Sequence, residues 1–413
     1  MKTAEIIAVG SELLGPFRLD TNSLYLTDQL ERLGVAVVRK TVVGDDREHL
    51  KAAFREALER AELVIGVGGL GPTEDDRTRE AVAEMLGLPL ERQPELVALI
   101  EERFRARGKK MPAVNLKQAD VPRGATWLPN ENGTAPGLWL EPEAGKVALL
   151  LPGPPKELQP MFEEHCLPRL RGLALKHAFA TKVLRVVGMT ESEVEERIAP
   201  IYRRHVNPQT TVLASPGQIE VYLRATGADT GEALRRAEEL ADLLEAELGE
   251  HVFSRGPETL EQVVGLYLMM RGATLAVAES CTGGLVGERL TNVPGSSRYF
   301  VGGVVCYSNK LKTKLVGVPE TLLKKKGAVS AEVAESLAKN IRRRAGAALG
   351  LGITGIAGPE GGGPDKPVGT VHLALAEAHR IRHERHRFLG DRERIRWQAS
   401  QAALDLVRRA LLK

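Results

Sequence analysis

Cysteine is nearly absent from this 413-residue chain: Cys166, Cys281 and Cys306 stand far apart, and no CxxC pair occurs. Three isolated thiols exclude a disulfide scaffold and a zinc ribbon, and they fit a reducing compartment. Aromatic residues make up only 4%, so a core has to be built from Leu, Val, Ile and Ala. No window approaches the roughly 18 consecutive apolar residues of a membrane-spanning helix. The first ten residues read as a strand and not as a signal peptide. The expected location is the cytoplasm, with no membrane partner. Charge of one sign is lacking too, since 57 Lys and Arg face 54 Asp and Glu, leaving +3. That balance gives no ground for a nucleic-acid partner. The basic clusters at 324–326 and 342–344 read as solvated helix faces.

What is present is an alternation of apolar runs and helical patterns. Residues 6–9, 35–43 and 63–67 read as strands, and 22–33 and 48–60 as amphipathic helices. Strands alternating with helices predict a mainly parallel sheet covered on both faces. Ligands of such sheets bind beyond the carboxyl ends of the strands, where two glycine-rich stretches occur. One is Gly10-Ser11-Glu12-Leu13-Leu14-Gly15; the other runs from Gly66 to Thr78 and contains Gly68, Gly69, Gly71, Thr73, Asp75 and Asp76. Closely spaced glycines expose N–H groups to phosphate. Asp75 and Asp76 are expected to open the next helix, either as caps or as Mg²⁺ ligands beside a phosphate. The Walker A spacing is absent.

Further along, residues 181–187, 193–202, 211–214, 219–225 and 232–248 read as strand, helix, hairpin and helix, a small α+β module. Thr190 and Glu193 form a capping-box pattern. No GxxG loop with basic flanks appears, so the module reads as a spacer or dimerisation element. Ser254-Arg255-Gly256-Pro257 marks a boundary.

The most informative stretch is Ala278-Glu279-Ser280-Cys281-Thr282-Gly283-Gly284, after an apolar run at 274–277 and before helical spacing at 285–290. Ser280 therefore falls on a strand-to-helix turn. Gly283 and Gly284 would let a substrate approach the backbone, and the helix start could hold an anion or a developing oxyanion. Read locally, Ser280 is either a helix cap or a nucleophile in need of a base. No histidine lies in this segment, but Tyr307-Ser308-Asn309-Lys310-Leu311-Lys312 follows, and a buried lysine can take a seryl proton. Cys281, beside Ser280, reads as inert packing. Residues 353–359 (ITGIAGP) and 390–396 (GDRERIR) complete the pattern, the latter offering guanidinium groups suited to phosphate. Four histidines at 372–386 lie on a predicted exposed edge strand crowded by Arg, which disfavours a cation.

AESCTGG, YSNxxK, TGIAGP and GDRxxxR, in this order, resemble the CinA carboxy-terminal domain family, which includes bacterial nicotinamide mononucleotide (NMN) deamidases. The resemblance implies Ser280 as nucleophile, Lys312 as general base, Tyr307 and Thr354 as hydrogen-bonding assistants and Arg392 as the contact for the 5′-phosphate. It further implies a pocket with Gly283, Gly284, Asn309 and Gly355, and amide hydrolysis without a metal. Lys312 is favoured over Lys310 and Lys314 by the family spacing alone. The amino-terminal half resembles the molybdopterin-binding MoaB/MogA-like fold, whose signature is near TGGTGPTxxDxT; Val67 and Leu70 replace two threonines of it. Within CinA proteins that domain is associated with ADP-ribose pyrophosphatase activity, dependent on Mg²⁺ or another divalent cation and on K⁺. Asp75 and Asp76, then Glu12 and Glu157, are the implied metal ligands, and Lys156 with Gly68, Gly69, Gly71 and Thr73 the phosphate contacts.

The expected protein is thus an α/β multidomain chain: a MoaB-like three-layer α/β domain (1–171), a small α+β module (172–254) and an α/β CinA domain (255–413). It would recycle pyridine nucleotides as a homodimer acting on NMN and ADP-ribose. The rivals are a deamidase carrying a non-catalytic pterin- or nucleotide-binding half, and a competence-related interaction protein.

Overall fold

The computed structural model describes residues 2–173 and 178–412. The chain forms two compact units, residues 1–180 with 226–233 and residues 181–225 with 234–413.

In the first unit, β1 (Thr3–Val9), β2 (Ala36–Val43) and β3 (Leu63–Val67) are the expected strands. A two-stranded ribbon, β4 (Leu90–Arg92) with β5 (Asp120–Pro122), stands apart. β6 (Thr126–Leu128), β7 (Gly137–Glu143) and β8 (Lys146–Leu151) complete a sheet of order β2-β1-β3-β8-β7-β6. Its first four members are parallel, and β7 and β6 run antiparallel to their neighbours. Successive strand residues face opposite sides, so Ile7 and Val64 join the core under the helix Arg47–Arg60, while Ile6 and Ile65 pack against Leu26 and Leu30 of the helix Asn22–Arg32. The sheet is covered on both faces, as its apolar strands require.

Falling mainly in the second unit, β9 (Ala178–Val186), β10 (Gln209–Ser215), β11 (Gln218–Gly227) and β12 (Val252–Ser254) form a sheet of order β10-β11-β9-β12. Thr190 and Glu193 do form the capping box of the helix Glu191–Tyr202. The larger sheet contains β13 (Leu275–Glu279), β14 (Phe300–Val305), β15 (Leu349–Gly355), β16 (Thr370–Ala376) and β17 (Ile381–Arg387), in the order β14-β13-β15-β16-β17. β14, β13 and β15 are parallel, and β16 and β17 continue antiparallel. One face packs on the helices Leu260–Met270 and Arg392–Leu412, the other on Ala331–Ala345. Gly350 and Gly352 let that last helix lie directly on β15: a Cβ at 350 would stand 2.5 Å from Arg342 Cβ, and one at 352 would stand 2.6 Å from the Ala338 nitrogen. β17 is an edge strand, as its alternation predicts. Among the described residues no helix is long and apolar enough to cross a membrane.

Candidate functional site

Ser280 follows β13 directly, and its N–H still donates to the Ile353 carbonyl of β15 at 3.0 Å. The ladder therefore fixes the serine before the chain turns. Gly283 (φ +64°) and Gly284 (φ +97°) then take the left-handed conformations that glycine adopts readily, and the helix Leu285–Thr291 begins. The expectation of an anion at this helix start needs correcting. The buried carboxylate of Glu279 already occupies it, accepting from the N–H groups of Gly284 (3.0 Å), Val286 (3.2 Å) and Gly287 (2.9 Å). Among the described residues, the N–H groups of Cys281 and Thr282 donate to no backbone carbonyl. Both face the Cys281 sulfur, a weak acceptor that a developing oxyanion could displace.

Lys312 is 2% exposed, whereas Lys310 and Lys314 are exposed. Its Nζ lies 2.9 Å from Ser280 Oγ and reaches the carbonyls of Cys306 (3.0 Å) and Tyr307 (3.2 Å). Burial pushes the ammonium pKa below its ordinary 10.5, against a smaller opposing effect of the thiols of Cys306 and Cys281. A neutral amine has two N–H bonds and one lone pair. With both N–H bonds on carbonyls, the lone pair is left for the seryl hydroxyl. Cys281 is a poor alternative nucleophile, because burial pushes its thiol up to about 12.

Ser280, Lys312, Tyr307, Asn309, Thr354 and Gly355 line one cavity of about 190 Å³ together with Cys281, Ala328, Val329 and Ala357. That is below the roughly 300 Å³ at which pockets for drug-sized ligands begin, so the cavity suits a small planar head group and not a whole nucleotide. Thr354 donates to the Ala328 carbonyl at 2.8 Å. The exposed phenol of Tyr307 does not reach toward Ser280 as a partner. It accepts from Arg392 Nη2 at 2.6 Å, while Arg392 Nη1 donates to the Gly358 carbonyl at 2.7 Å. Arg392 thus stands one residue outward from the cavity, and Gly283 and Gly284 shape the turn without lining it. Sequence reasoning missed Glu279 and Arg396, whose Nη2 donates to the Thr282 carbonyl at 2.8 Å. An acid ending an otherwise apolar strand was the available signal for Glu279.

In the first unit a pocket of about 350 Å³ brings together Glu12, Gly68, Gly69, Gly71, Asp75, Asp76 and Glu157, and adds Asp45. Thr73 and Lys156 do not line it. Asp75 and Asp76 do not open the following helix, which starts at Thr78. They sit in the preceding turn, where Asp76 Oδ2 accepts from both the N–H (2.9 Å) and the hydroxyl of Thr73. The lysine that organises this loop is Lys117, whose Nζ donates to the carbonyls of Thr73 (2.5 Å) and Asp76 (2.9 Å). Glu157 Oε2 accepts from Asn130 at 2.7 Å. Among the described residues, no three His, Cys, Asp or Glu converge as a cation cage. The oxygen donor set still suits a hard cation held by one or two carboxylates plus substrate phosphate. At β16 and β17, His372 Nδ1 and His383 Nε2 are 3.0 Å apart in a stacked pair, a direct hydrogen-bond contact.

Three stretches of the chain match known families. Residues 257–411 match the family described as "CinA C-terminal domain", residues 5–172 "Probable molybdopterin binding domain", and residues 181–254 "Damage-inducible protein CinA KH domain". A "CinA-like protein" of Koribacter versatilis is 52% identical over 412 residues, covering 99% of this chain and 100% of the relative. Another, from Acidobacterium capsulatum, is 53% identical with the same coverage.

Proposed function

The chain belongs to the CinA family, and we propose that its carboxy-terminal half hydrolyses the carboxamide of NMN to nicotinate mononucleotide and ammonia. The observation that carries this reading is the buried Lys312 Nζ 2.9 Å from Ser280 Oγ, with the carbonyls of Cys306 and Tyr307 within hydrogen-bond reach of the same nitrogen. Neutral Lys312 takes the Ser280 proton as Oγ attacks the carboxamide carbon. The N–H of Cys281, next to the nucleophile, is the donor for the developing oxyanion. Collapse breaks the C–N bond; Lys312 returns its proton to the leaving nitrogen, and ammonia departs from an acyl-enzyme. Water then adds to the ester carbon, giving its proton to Lys312; the C–Oγ bond breaks, Lys312 returns the proton to Oγ, and nicotinate mononucleotide leaves. The small cavity takes the pyridine carboxamide, while Arg392 holds the 5′-phosphate outside it.

For the amino-terminal half we propose hydrolysis of ADP-ribose to AMP and ribose 5-phosphate. The glycine turn at 68–71 would face the diphosphate, and Asp75 with Glu12 would hold a divalent cation, K⁺ assisting. Such a cation supplies charge neutralisation and an activated water. The open arrangement of the carboxylates favours the second reading, a non-catalytic nucleotide- or pterin-binding half, although the replacement of two signature threonines by Val67 and Leu70 counts against pterin. The full reading is of a cytoplasmic homodimer that recycles pyridine nucleotides.

The deciding experiment is to measure ammonia and nicotinate mononucleotide from NMN in EDTA, beside Ser280→Ala. Turnover in the wild type and none in the variant is expected. No turnover by the wild type would leave the interaction-protein reading. AMP release from ADP-ribose that requires a divalent cation would distinguish the two readings of the other half.

A further inference from the structure

Within the second unit, the β10–β11 hairpin is seated on the final helix. Trp397 Nε1 donates to the Pro216 carbonyl at 2.7 Å, and Gln401 Nε2 to Gln218 Oε1 at 3.2 Å. Between them opens a cleft of about 950 Å³, some five times the seryl cavity and at the upper end of the range for small-molecule sites. Of its lining residues, the proposed deamidation uses Arg392 alone, at the 5′-phosphate.

Its lining has the two halves of a nucleotide site. Trp397 is 37% exposed; the Arg289 guanidinium covers one face of its ring at 4.5 Å, and the part left open borders the cleft. An aromatic base can stack on such a ring whatever its sequence identity. Arg394 also borders the cleft, and its guanidinium has no hydrogen-bond or ion-pair partner among the described residues. Of the cleft's three acids, Asp391 accepts from the Arg394 N–H at 2.8 Å and Glu288 from Asn292 at 2.9 Å, while Glu393 is exposed to solvent. The neighbouring Arg396 is spent on the Thr282 carbonyl, and the Thr282 hydroxyl is buried without a partner. An occupant of the cleft would therefore lie one hydrogen bond from the seryl turn.

We infer that this cleft is a second nucleotide site, with a base stacked on the open face of Trp397 and a phosphate held by Arg394. The nucleotide is either a free mononucleotide or the far half of a dinucleotide whose pyridine end enters the seryl cavity. Both sources present the same chemistry to the cleft.

AMP is the probe, titrated into the full-length chain by calorimetry and by tryptophan emission. Binding is read and not turnover, so the outcome is independent of whether the enzyme deamidates NMN. AMP should quench tryptophan emission saturably, and the quench should vanish in Trp397→Phe, which keeps a ring for Arg289 to cover. Arg394→Glu, at an exposed and unpaired position, should weaken the same binding phase at least tenfold. A quench that persists in Trp397→Phe, or an affinity unmoved by Arg394→Glu, overturns the site, including the case in which AMP binds only in the first unit. A pyridine–adenine dinucleotide binding more tightly than AMP, with the same loss in Arg394→Glu, identifies the extended-substrate source. Equal affinities identify the free mononucleotide.

Discussion

The Glu279 carboxylate accepts the Gly284 N–H at 3.0 Å, closing a loop of chain around Ser280 from the residue just before it. The nucleophile is thereby held between the strand ladder and a carboxylate that has sealed the helix start. Glu279→Gln replaces one acceptor oxygen with an amide nitrogen facing an N–H. The variant should lose stability by about 1–3 kcal/mol in chemical denaturation. If the turn also positions Ser280, kcat for ammonia release should fall more than tenfold with KM little changed. Wild-type kcat in a folded Glu279→Gln protein would reject that positioning role.

Lys312 gives a pH prediction with a defined sign. The active form is the neutral amine, and burial lowers its pKa from 10.5. The rate should therefore rise with pH through that lowered value and level off before 10.5. Lys312→Met should reduce kcat by about 10²–10⁴-fold, the usual contribution of a general base. The folded state binds fewer protons at this site than the unfolded chain, so the lysine costs stability below its lowered pKa. Melting of Lys312→Met near neutral pH should then occur no lower than in the wild type. A variant with a near-normal rate removes Lys312 from the mechanism.

Tyr307 and Arg392 should act together. Removing the phenol in Tyr307→Phe frees Arg392 Nη2 from a 2.6 Å hydrogen bond, and Arg392→Ala removes the proposed phosphate contact. Both should raise KM for NMN more than they lower kcat, as expected for uniform binding. Arg392→Ala should also narrow the preference for NMN over its unphosphorylated riboside. An unchanged preference means that the phosphate lies elsewhere.

His372 should make the second unit acid-sensitive. Its burial, then the neighbouring His383, Arg385 and Lys366 against an opposing Glu332, lower its pKa from 6.5 to about 4. The unfolded chain binds the extra proton first, so stability should fall as pH drops from about 6.5 to about 4. His372→Gln should melt less differently at pH 7 and pH 4.5 than the wild type does. An equal spread would assign the acid sensitivity to other groups.

Much of this was legible in the sequence because the signals were local. The apolar run at 274–277 and the glycines at 283–284 place Ser280 on its turn, and the strands of the first sheet fall where period and glycine punctuation put them. Choosing Lys312 over Lys310 and Lys314 is another matter: local spacing does not decide it, whereas burial of a single side chain in the fold does. Asp75 and Asp76 were displaced from the helix start because Asp76 instead closes a side-chain turn on Thr73, a competition that composition does not announce. Arg396 was hidden for a related reason. Its acceptor, the Thr282 carbonyl, is 114 positions away in sequence.

The seating of the hairpin on the final helix bears on how the chain can be divided. Arg408, 2% exposed, donates to the Glu250 carbonyl at 2.6 Å, and Trp397 to that of Pro216. A fragment beginning after residue 254 would retain every side chain of the seryl cavity. It would nevertheless strip an acceptor from a buried guanidinium and another from an indole, and leave the cleft with one wall. Work on the isolated carboxy-terminal piece would describe a catalyst whose neighbouring binding surface had been removed.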